Sequence, residues 1–431
     1  MSTRSAPATT APLAIDTLPT DAIRAQFPAL RREIGGRPVA YFDGPGGTQV
    51  PMRVADAMRA QMLEHNGNAG WNYHASRETD AMVADARACY AAFFNAAEPG
   101  EVLFGANMTT LTLRIAHALG RRWSAGDEIV LTELDHHANV DTWRLLERDR
   151  GVVVRVARMN PDDGTLDLDD LESKLSPRTK LLAIGAASNA LGTIPDVARA
   201  ARAAHDVGAL VFVDAVHYAS HASVDVRALG ADMLAVSSYK FYGPHIGIAY
   251  VRRDLLESLD VPRVVHSPSS GPARVESGTA NFEGIAGAAA AVRFLASIAD
   301  GAGDTGTDMA RLRAGLQASF AALHERGAAL VDRLWRGLAG IRGVRLHGVA
   351  PGTGARTPTV GFSVDGVHPR DAAGRLAERA LFVSHGDFYA CTVIDRLGRR
   401  EAGGLIRAGC AAYTTESEVD RLIEGAAELA R

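Results

Sequence analysis

Ala231-Asp232-Met233-Leu234-Ala235-Val236-Ser237-Ser238-Tyr239-Lys240-Phe241-Tyr242-Gly243-Pro244 is a short apolar run that ends in two serines, a tyrosine and a lysine. The run reads as a buried strand, and Gly243-Pro244 stops it. Lysine is among the residues least often buried, so a lysine at the end of a core strand needs a reason. One reading is a side chain that snorkels to solvent. The other is chemical: a partly desolvated amine loses part of its preference for the charged form, and the neutral amine can form a Schiff base with an aldehyde. The rest of the chain decides between them.

The chain has 431 residues, 47% hydrophobic and 22% charged, a soluble globular composition. That length suits roughly two or three domain-sized units. A net charge of −4 argues against a nucleic-acid or anionic-membrane partner. No apolar run approaches the roughly 20 residues of a membrane helix. Residues 1–16 are rich in Ser, Thr, Ala and Pro and read as a disordered tail, not a signal peptide. The three cysteines, Cys89, Cys391 and Cys410, form no CxxC pair. Such a sparse, odd set predicts a reducing compartment, here the cytoplasm, and neither a disulfide framework nor a metal site.

Working outward from Lys240, the pattern is one of strand–helix alternation. Strands are expected over 102–104, 128–132, 152–158, 181–186, 210–214 and 233–236. Helices are expected over 111–119, 141–148, 168–174, 194–205 and 224–229. Apolar strands alternating with helices imply a mostly parallel sheet covered on both faces. Ligands bind such sheets beyond the carboxyl ends of the strands. Upstream, helices are expected over 21–32, 54–65 and 78–94, with a glycine-rich turn at 44–47. Downstream, a linker spans 262–284, helices cover 285–299 and 309–341, and a break falls at 301–306. Strands over 344–347, 359–363, 381–384 and 405–408, with helices over 369–379 and 416–429, make a smaller α/β unit. The expected division is a tail (1–16), a large domain (17–300, with 17–35 packing on the small domain) and a small C-terminal domain (301–431).

The polar residues at the strand ends carry the chemistry. Asp135-His136-His137-Ala138-Asn139 follows the second strand, Ser188-Asn189 the fourth, Asp214-Ala215-Val216-His217 the fifth, and Ser237 to Lys240 the sixth. This order gathers His136, Asn189, Asp214, His217 and Lys240 around one crevice. Met108-Thr109-Thr110 opens a helix, where free N–H groups and the dipole favour an anion, or where Thr109 or Thr110 simply caps. A cofactor with an aldehyde, a phosphate and a protonatable ring nitrogen would use the whole set. Lys240 would hold the aldehyde, and Asp214 would keep the ring nitrogen protonated so that the ring acts as an electron sink. Thr109 and the helix-start amides would hold the phosphate, and His136 would stack on the ring.

In its order of elements and in these motifs, the chain resembles fold-type I pyridoxal-phosphate enzymes of the class V aminotransferase family, nearest to the cysteine desulfurases and selenocysteine lyases. The matching signatures are Tyr41-Phe42-Asp43 with Thr48-Gln49, the 135–139 segment, Ser188-Asn189-Ala190-Leu191-Gly192-Thr193, Val213-Asp214-Ala215 and Ser237 to Pro244. The similarity runs from about Tyr41 over nearly the whole chain. It implies a large domain with a mostly parallel, seven-stranded-type sheet, a smaller α/β domain, pyridoxal 5'-phosphate as cofactor and an L-amino acid as substrate. It implies Lys240 as the cofactor Schiff-base lysine and proton shuttle, and Asp214 on the pyridine nitrogen. His136 would lie on the ring face, Asn189 would bond the ring oxygen or the substrate, His217 would donate to the ring oxygen, and Tyr389 would border the substrate. Thr109, Ser237 and Tyr239 would contact the phosphate, with Met108 beside them. The sites form across a homodimer, so Thr279 would reach the neighbouring subunit's phosphate. Arg407 would grip the substrate α-carboxylate.

Three positions depart from the family pattern. Tyr239 stands where a histidine is common, and His217 where a glutamine is common. Tyr389 stands at the loop cysteine whose thiolate takes sulfur as a persulfide in desulfurases. Cys391, two residues on, is either a substitute nucleophile or a structural thiol. The expected reaction is C–S cleavage on L-cysteine or a thioether-type amino acid. The alternatives are transamination or epimerisation without an enzyme persulfide, and a catalytically weak cofactor-binding partner in sulfur relay. A sulfur-acceptor protein is compatible with the resemblance, but no residue pattern supports one. The segment His65, Asn66, Trp71, Asn72, Tyr73 and His74 is expected to shape the substrate pocket.

Overall fold

The computed structural model describes residues 19–299 and 308–431. The tail expected at 1–16, the break expected at 301–306 and the boundary expected at 300/301 lie outside these residues. The apolar runs build seven strands: β1 (Val102–Gly105), β2 (Glu128–Thr132), β3 (Val153–Ala157), β4 (Thr179–Gly185), β5 (Leu210–Asp214), β6 (Met233–Ser237) and β7 (Gly247–Val251). They form one sheet in the order β1-β7-β6-β5-β4-β2-β3. Strands β2 to β6 pair in parallel, whereas β7 runs antiparallel to both β6 and β1.

Strand β7 is absent from the sequence reading, which stopped at Gly243-Pro244. An antiparallel neighbour needs only a short return, so no crossover helix announces it. Gly247 opens β7 where a Cβ would lie 2.2 Å from the Asn107 carbonyl carbon. The missing side chain lets the strand pass directly beneath the start of the following helix, Met108–Gly120. All residues of β2 and β6 are buried, as expected for strands covered on both faces. Side chains of β2, β4, β5 and β6 alternate between two cores. Val130, Leu182, Val211 and Leu234 enter one, and Ile129, Leu181, Phe212 and Met233 the other.

A second sheet is antiparallel, with β8 (Val344–His347), β9 (Thr359–Val364), β10 (Ser384–Gly386) and β11 (Leu405–Gly409) in the order β8-β9-β11-β10. The strand expected over 381–384 divides. Leu381–Phe382 pairs in parallel with Ala40–Tyr41, and Ser384–Gly386 joins β11. The long helix Met309–Ala339 and the helices Pro369–Glu378 and Glu416–Leu429 cover this sheet around a third core. The helix expected over 21–32 is also interrupted. Thr20–Ala25 is helical, and Phe27 is extended before the 3-10 turn Pro28–Arg31, because a residue preceding proline is pushed out of the helical region. Phe27 is thereby buried against Tyr242, Phe294 and Tyr413, with ring centroids at 5.8, 5.4 and 5.0 Å. Among the described residues no helix is long and apolar enough to cross a membrane.

Candidate active site

Strand β6 runs into the 3-10 turn Ser238–Lys240. The chain then reverses at Tyr242, a buried residue with φ +71. This left-handed conformation is costly for a side-chain-bearing residue and needs anchors. The Tyr242 N–H donates to Thr48 Oγ1 at 2.7 Å, and its hydroxyl accepts from the Ala412 N–H at 2.9 Å. Lys240 Nζ donates to the Pro45 carbonyl at 2.6 Å and to the Gly46 carbonyl at 3.0 Å. Burial and the nearby Arg407 guanidinium lower the Lys240 pKa to about 7, with Asp214 opposing them.

Lys240 lines a pocket together with His136, Asn189, Asp214 and His217, so the five strand-end residues meet in one place. Asp214, at the end of β5, is buried, and its Oδ1 accepts from the Val216 N–H at 2.9 Å. Burial raises its pKa to about 6. Asp135 lines the same pocket and was not expected to be a site residue. It accepts from Thr132 Oγ1 and, at 2.9 Å, from Asn139 Nδ2. Burial raises its pKa to about 7, with Asp214 adding to the effect. Its position directly after β2 and before His136 was the available signal. His136 Nδ1 accepts from the Ala138 N–H at 3.0 Å. Burial, then Lys240 and Arg407, lower its pKa to about 4, so the ring is neutral. His217 lines the pocket and is buried. Its Nε2 sits 3.0 Å from Thr357 Oγ1 and 3.2 Å from Thr359 Oγ1, partners with no local trace in sequence.

At the opposite end, the cap of helix Met108–Gly120 is Asn107, not Thr109 or Thr110. The Asn107 side chain accepts from the Thr110 N–H at 2.9 Å and the Thr110 hydroxyl at 2.8 Å. This leaves Thr109 lining the pocket on the first turn. Ser237 Oγ accepts from the Met108 N–H at 3.2 Å, whereas the Met108 side chain is buried in the core. The Tyr239 ring stacks on His245 at 4.7 Å. Thr279 is exposed and lines neither this pocket nor the cavity beside it.

An adjoining, more open cavity shares Lys240, His136 and Asn189 and adds Arg407 and Tyr389. Arg407, on β11, is buried, donates from Nη1 to the Asn189 carbonyl at 2.8 Å and lies 4.1 Å over the Phe388 ring. Burial lowers its pKa to about 9. Arg407 Nε, Asn189 Oδ1 and Asp43 Oδ1 are buried without hydrogen-bond partners. Phe388 and Tyr389 both adopt left-handed backbone, with φ +57 and +56. The Phe388 carbonyl accepts from Asn189 Nδ2 at 2.9 Å, and the Tyr389 carbonyl from the His137 N–H at 2.7 Å. The Tyr389 ring, 71% exposed, lies 5.5 Å from His136. Cys391 lines neither cavity. Its Sγ lies 3.5 Å from Asp387 Oδ2, and burial together with that carboxylate raises its thiol pKa. The 65–74 segment also lines neither cavity. Asp43, Pro45 and Phe388 were missed. The glycine-rich turn at 44–47 was the one hint of a close backbone approach.

The aminotransferase class-V family model matches residues 40–303 and 309–422. The chain belongs to this family. A cysteine desulfurase of Dickeya dadantii (strain 3937) is 30% identical over 427 residues, covering 95% of this chain and 97% of the other. The apo structure of a cysteine desulfurase from Thermococcus onnurineus NA1 is similar at TM-score 0.84 and 28% identity, covering 96% of this chain and 98% of that one. The cysteine desulfurase CsdA from Escherichia coli, solved with an S-sulfonic acid, is similar at TM-score 0.80 and 29% identity, covering 95% and 98%.

Enzymes of this family depend on pyridoxal phosphate, and this chain is one of them. The donor set fits the group. An amine with a depressed pKa shares the pocket with the buried Asp214 carboxyl, with Thr109 at a helix start and with Ser237 at the end of β6. A buried amide oxygen, Asn189 Oδ1, still lacks a partner.

Proposed function

We propose that the protein cleaves the C–S bond of L-cysteine or a related sulfur amino acid, working as a cytoplasmic homodimer. The observation that carries this reading is the meeting of Lys240, Asp214, His136 and Asn189 in one pocket, with Arg407 in the cavity beside it. The similarity to cysteine desulfurases supports the substrate class.

Pyridoxal phosphate, when bound, supplies an electron sink for the charge left as the substrate Cα loses its proton. Lys240 holds the cofactor aldehyde and moves the proton at Cα. Its lowered pKa leaves a large neutral fraction near pH 7, which both tasks need. Asp214 would pair with the ring nitrogen, and the neutral His136 would pack on the ring face. Thr109, Ser237 and Tyr239 would hold the phosphate, and Thr279 would serve that of a second copy. Arg407 binds the α-carboxylate with a guanidinium that still has an unpartnered, buried Nε.

Tyr389 in the loop, and Cys391 outside both cavities with a raised thiol pKa, favour a course without an enzyme persulfide. The second reading, transamination or epimerisation, shares that feature. The test is a visible-spectrum titration of the holoenzyme with amino acids, with sulfide, alanine, pyruvate and keto acids assayed in the same samples. Sulfide with alanine, or sulfide with pyruvate and ammonia, supports C–S cleavage. A keto acid with the cofactor left as its amine, and no sulfur product, overturns it.

A further inference from the structure

We propose that the side-chain end of the site receives an extended apolar group, so that the substrates are S-alkyl or S-aryl cysteines rather than free cysteine. This rests on the C–S cleavage reading above. Large apolar side chains exposed to solvent have a cost unless something covers them. Leu113 and Leu145 are each 39% exposed and Tyr389 is 71% exposed. These three come from separate elements: helix Met108–Gly120, helix Asp141–Arg150 and the turn before Cys391. All three line the same cavity. That cavity also holds Arg407 and Lys240, the expected anchors for the carboxylate and amine of an amino acid. With those two ends fixed, the side chain faces the remaining wall, in which Leu113, Leu145 and Tyr389 stand beside Ala138, Thr142 and the His137–Asp141 pair, whose polar atoms meet each other at 3.1 Å. A bare thiol is too short to cover Leu113, Leu145 and Tyr389 together.

The wall is also held in place. Tyr389 keeps its left-handed backbone because the His137 N–H donates to its carbonyl, and Asn189 Nδ2 donates to that of Phe388. Two strained residues anchored in this way present a preorganised surface.

The fate of sulfur follows the same geometry. No thiol lines the cavity to accept it, so sulfur leaves with its substituent. The α-proton passes from Cα to Lys240 Nζ, a Cα=Cβ double bond forms, and the Cβ–S bond breaks. The sulfur departs with the electron pair and is protonated to a thiol. The remaining 2-aminoacrylate takes up water to give pyruvate and ammonia, with no net oxidation or reduction.

The test uses holoenzyme and α-methyl amino acids, which bind but have no α-proton to lose. Calorimetry compares α-methyl-S-benzyl-L-cysteine with α-methyl-L-cysteine. A filled apolar pocket discriminates by about 10- to 200-fold per methylene at best, so a preference of about tenfold or more is expected for the benzyl compound. Leu113→Asp and Leu145→Asp should each move that ratio toward one. Equal affinities in the native protein overturn the proposal, and that measurement needs no variant to fold. Sedimentation of both variants as a smaller species than the native protein also overturns it, because the wall is then an interface with a second copy. A benzyl preference without any thiol or pyruvate from S-benzyl-L-cysteine keeps the specificity and rejects the C–S cleavage reading instead.

Discussion

The Nζ of Lys240 donates to the Pro45 carbonyl oxygen at 2.6 Å, which ties the end of β6 to a turn 195 residues earlier in the chain. The amine is buried, with Arg407 nearby, and both disfavour its charge. Its pKa of about 7 means that the neutral, nucleophilic fraction grows as pH rises toward 7 and saturates above it. Apoenzyme should therefore capture pyridoxal phosphate at a rate that climbs about tenfold per pH unit below 7 and levels off by about pH 8. Stopped-flow absorbance checks this. A rate still climbing at pH 9 would mean an ordinary lysine. Lys240→Ala should leave no borohydride-fixable adduct.

Asp214 is a buried carboxyl whose ionisation the Val216 N–H and Lys240 favour against the cost of burial. Asp214→Asn keeps its shape and removes its charge. Cofactor should still bind through Lys240, while turnover falls by about 100-fold or more, the scale of a lost proton-handling group. Steady-state rates on the reconstituted variant measure it. Turnover within threefold of native would remove Asp214 from the mechanism.

Arg407 lies over Phe388 and donates to the Asn189 carbonyl, so its orientation is fixed before substrate arrives. A lysine cannot reproduce a planar fork. Arg407→Lys should raise KM for the amino acid by about tenfold to 100-fold, the range for a charged hydrogen bond, with a smaller change in kcat. An unchanged KM would place the carboxylate elsewhere.

Cys391 sits beside Asp387, and its thiol pKa is raised. A poor thiolate outside the cavity contributes no sulfur chemistry. Cys391→Ala should release sulfide or thiol at the native rate. A loss of activity, together with persulfide detected on the native protein by mass spectrometry, would restore Cys391 as the nucleophile.

Phe27 is buried between Tyr242, Phe294 and Tyr413 and so supports the strained turn after Lys240. Phe27→Ala should cost about 3–5 kcal/mol, as for other large-to-small changes in a core. Denaturant melts of apoenzyme and holoenzyme check the size of the loss. A cost under about 1 kcal/mol would show that the cluster relaxes around the gap.

Much of the fold was legible because its signals are local. Apolar runs such as those in β2, β5 and β6 declare buried strands, and the polar residues that end them declare a crevice. The errors share a physical cause. Strand β7 needed no crossover, and residues 381–386 form two pairings because Ala40–Tyr41 comes to lie beside Leu381–Phe382. The helix at Thr20 stops early because Pro28 pushes Phe27 out of the helical region.

By itself the sequence determined which residues stand at the strand ends: His136, Asn189, Asp214, His217 and Lys240. Alternation and chain punctuation are properties of neighbouring residues. Only the tertiary structure decided what those residues can do. It gave Lys240 the carbonyls of Pro45 and Gly46, turned His217 toward Thr357, set Arg407 over Phe388 and left Cys391 outside both cavities. Desolvation and hydrogen-bond partners are supplied by segments far apart in the chain, and no local pattern encodes them.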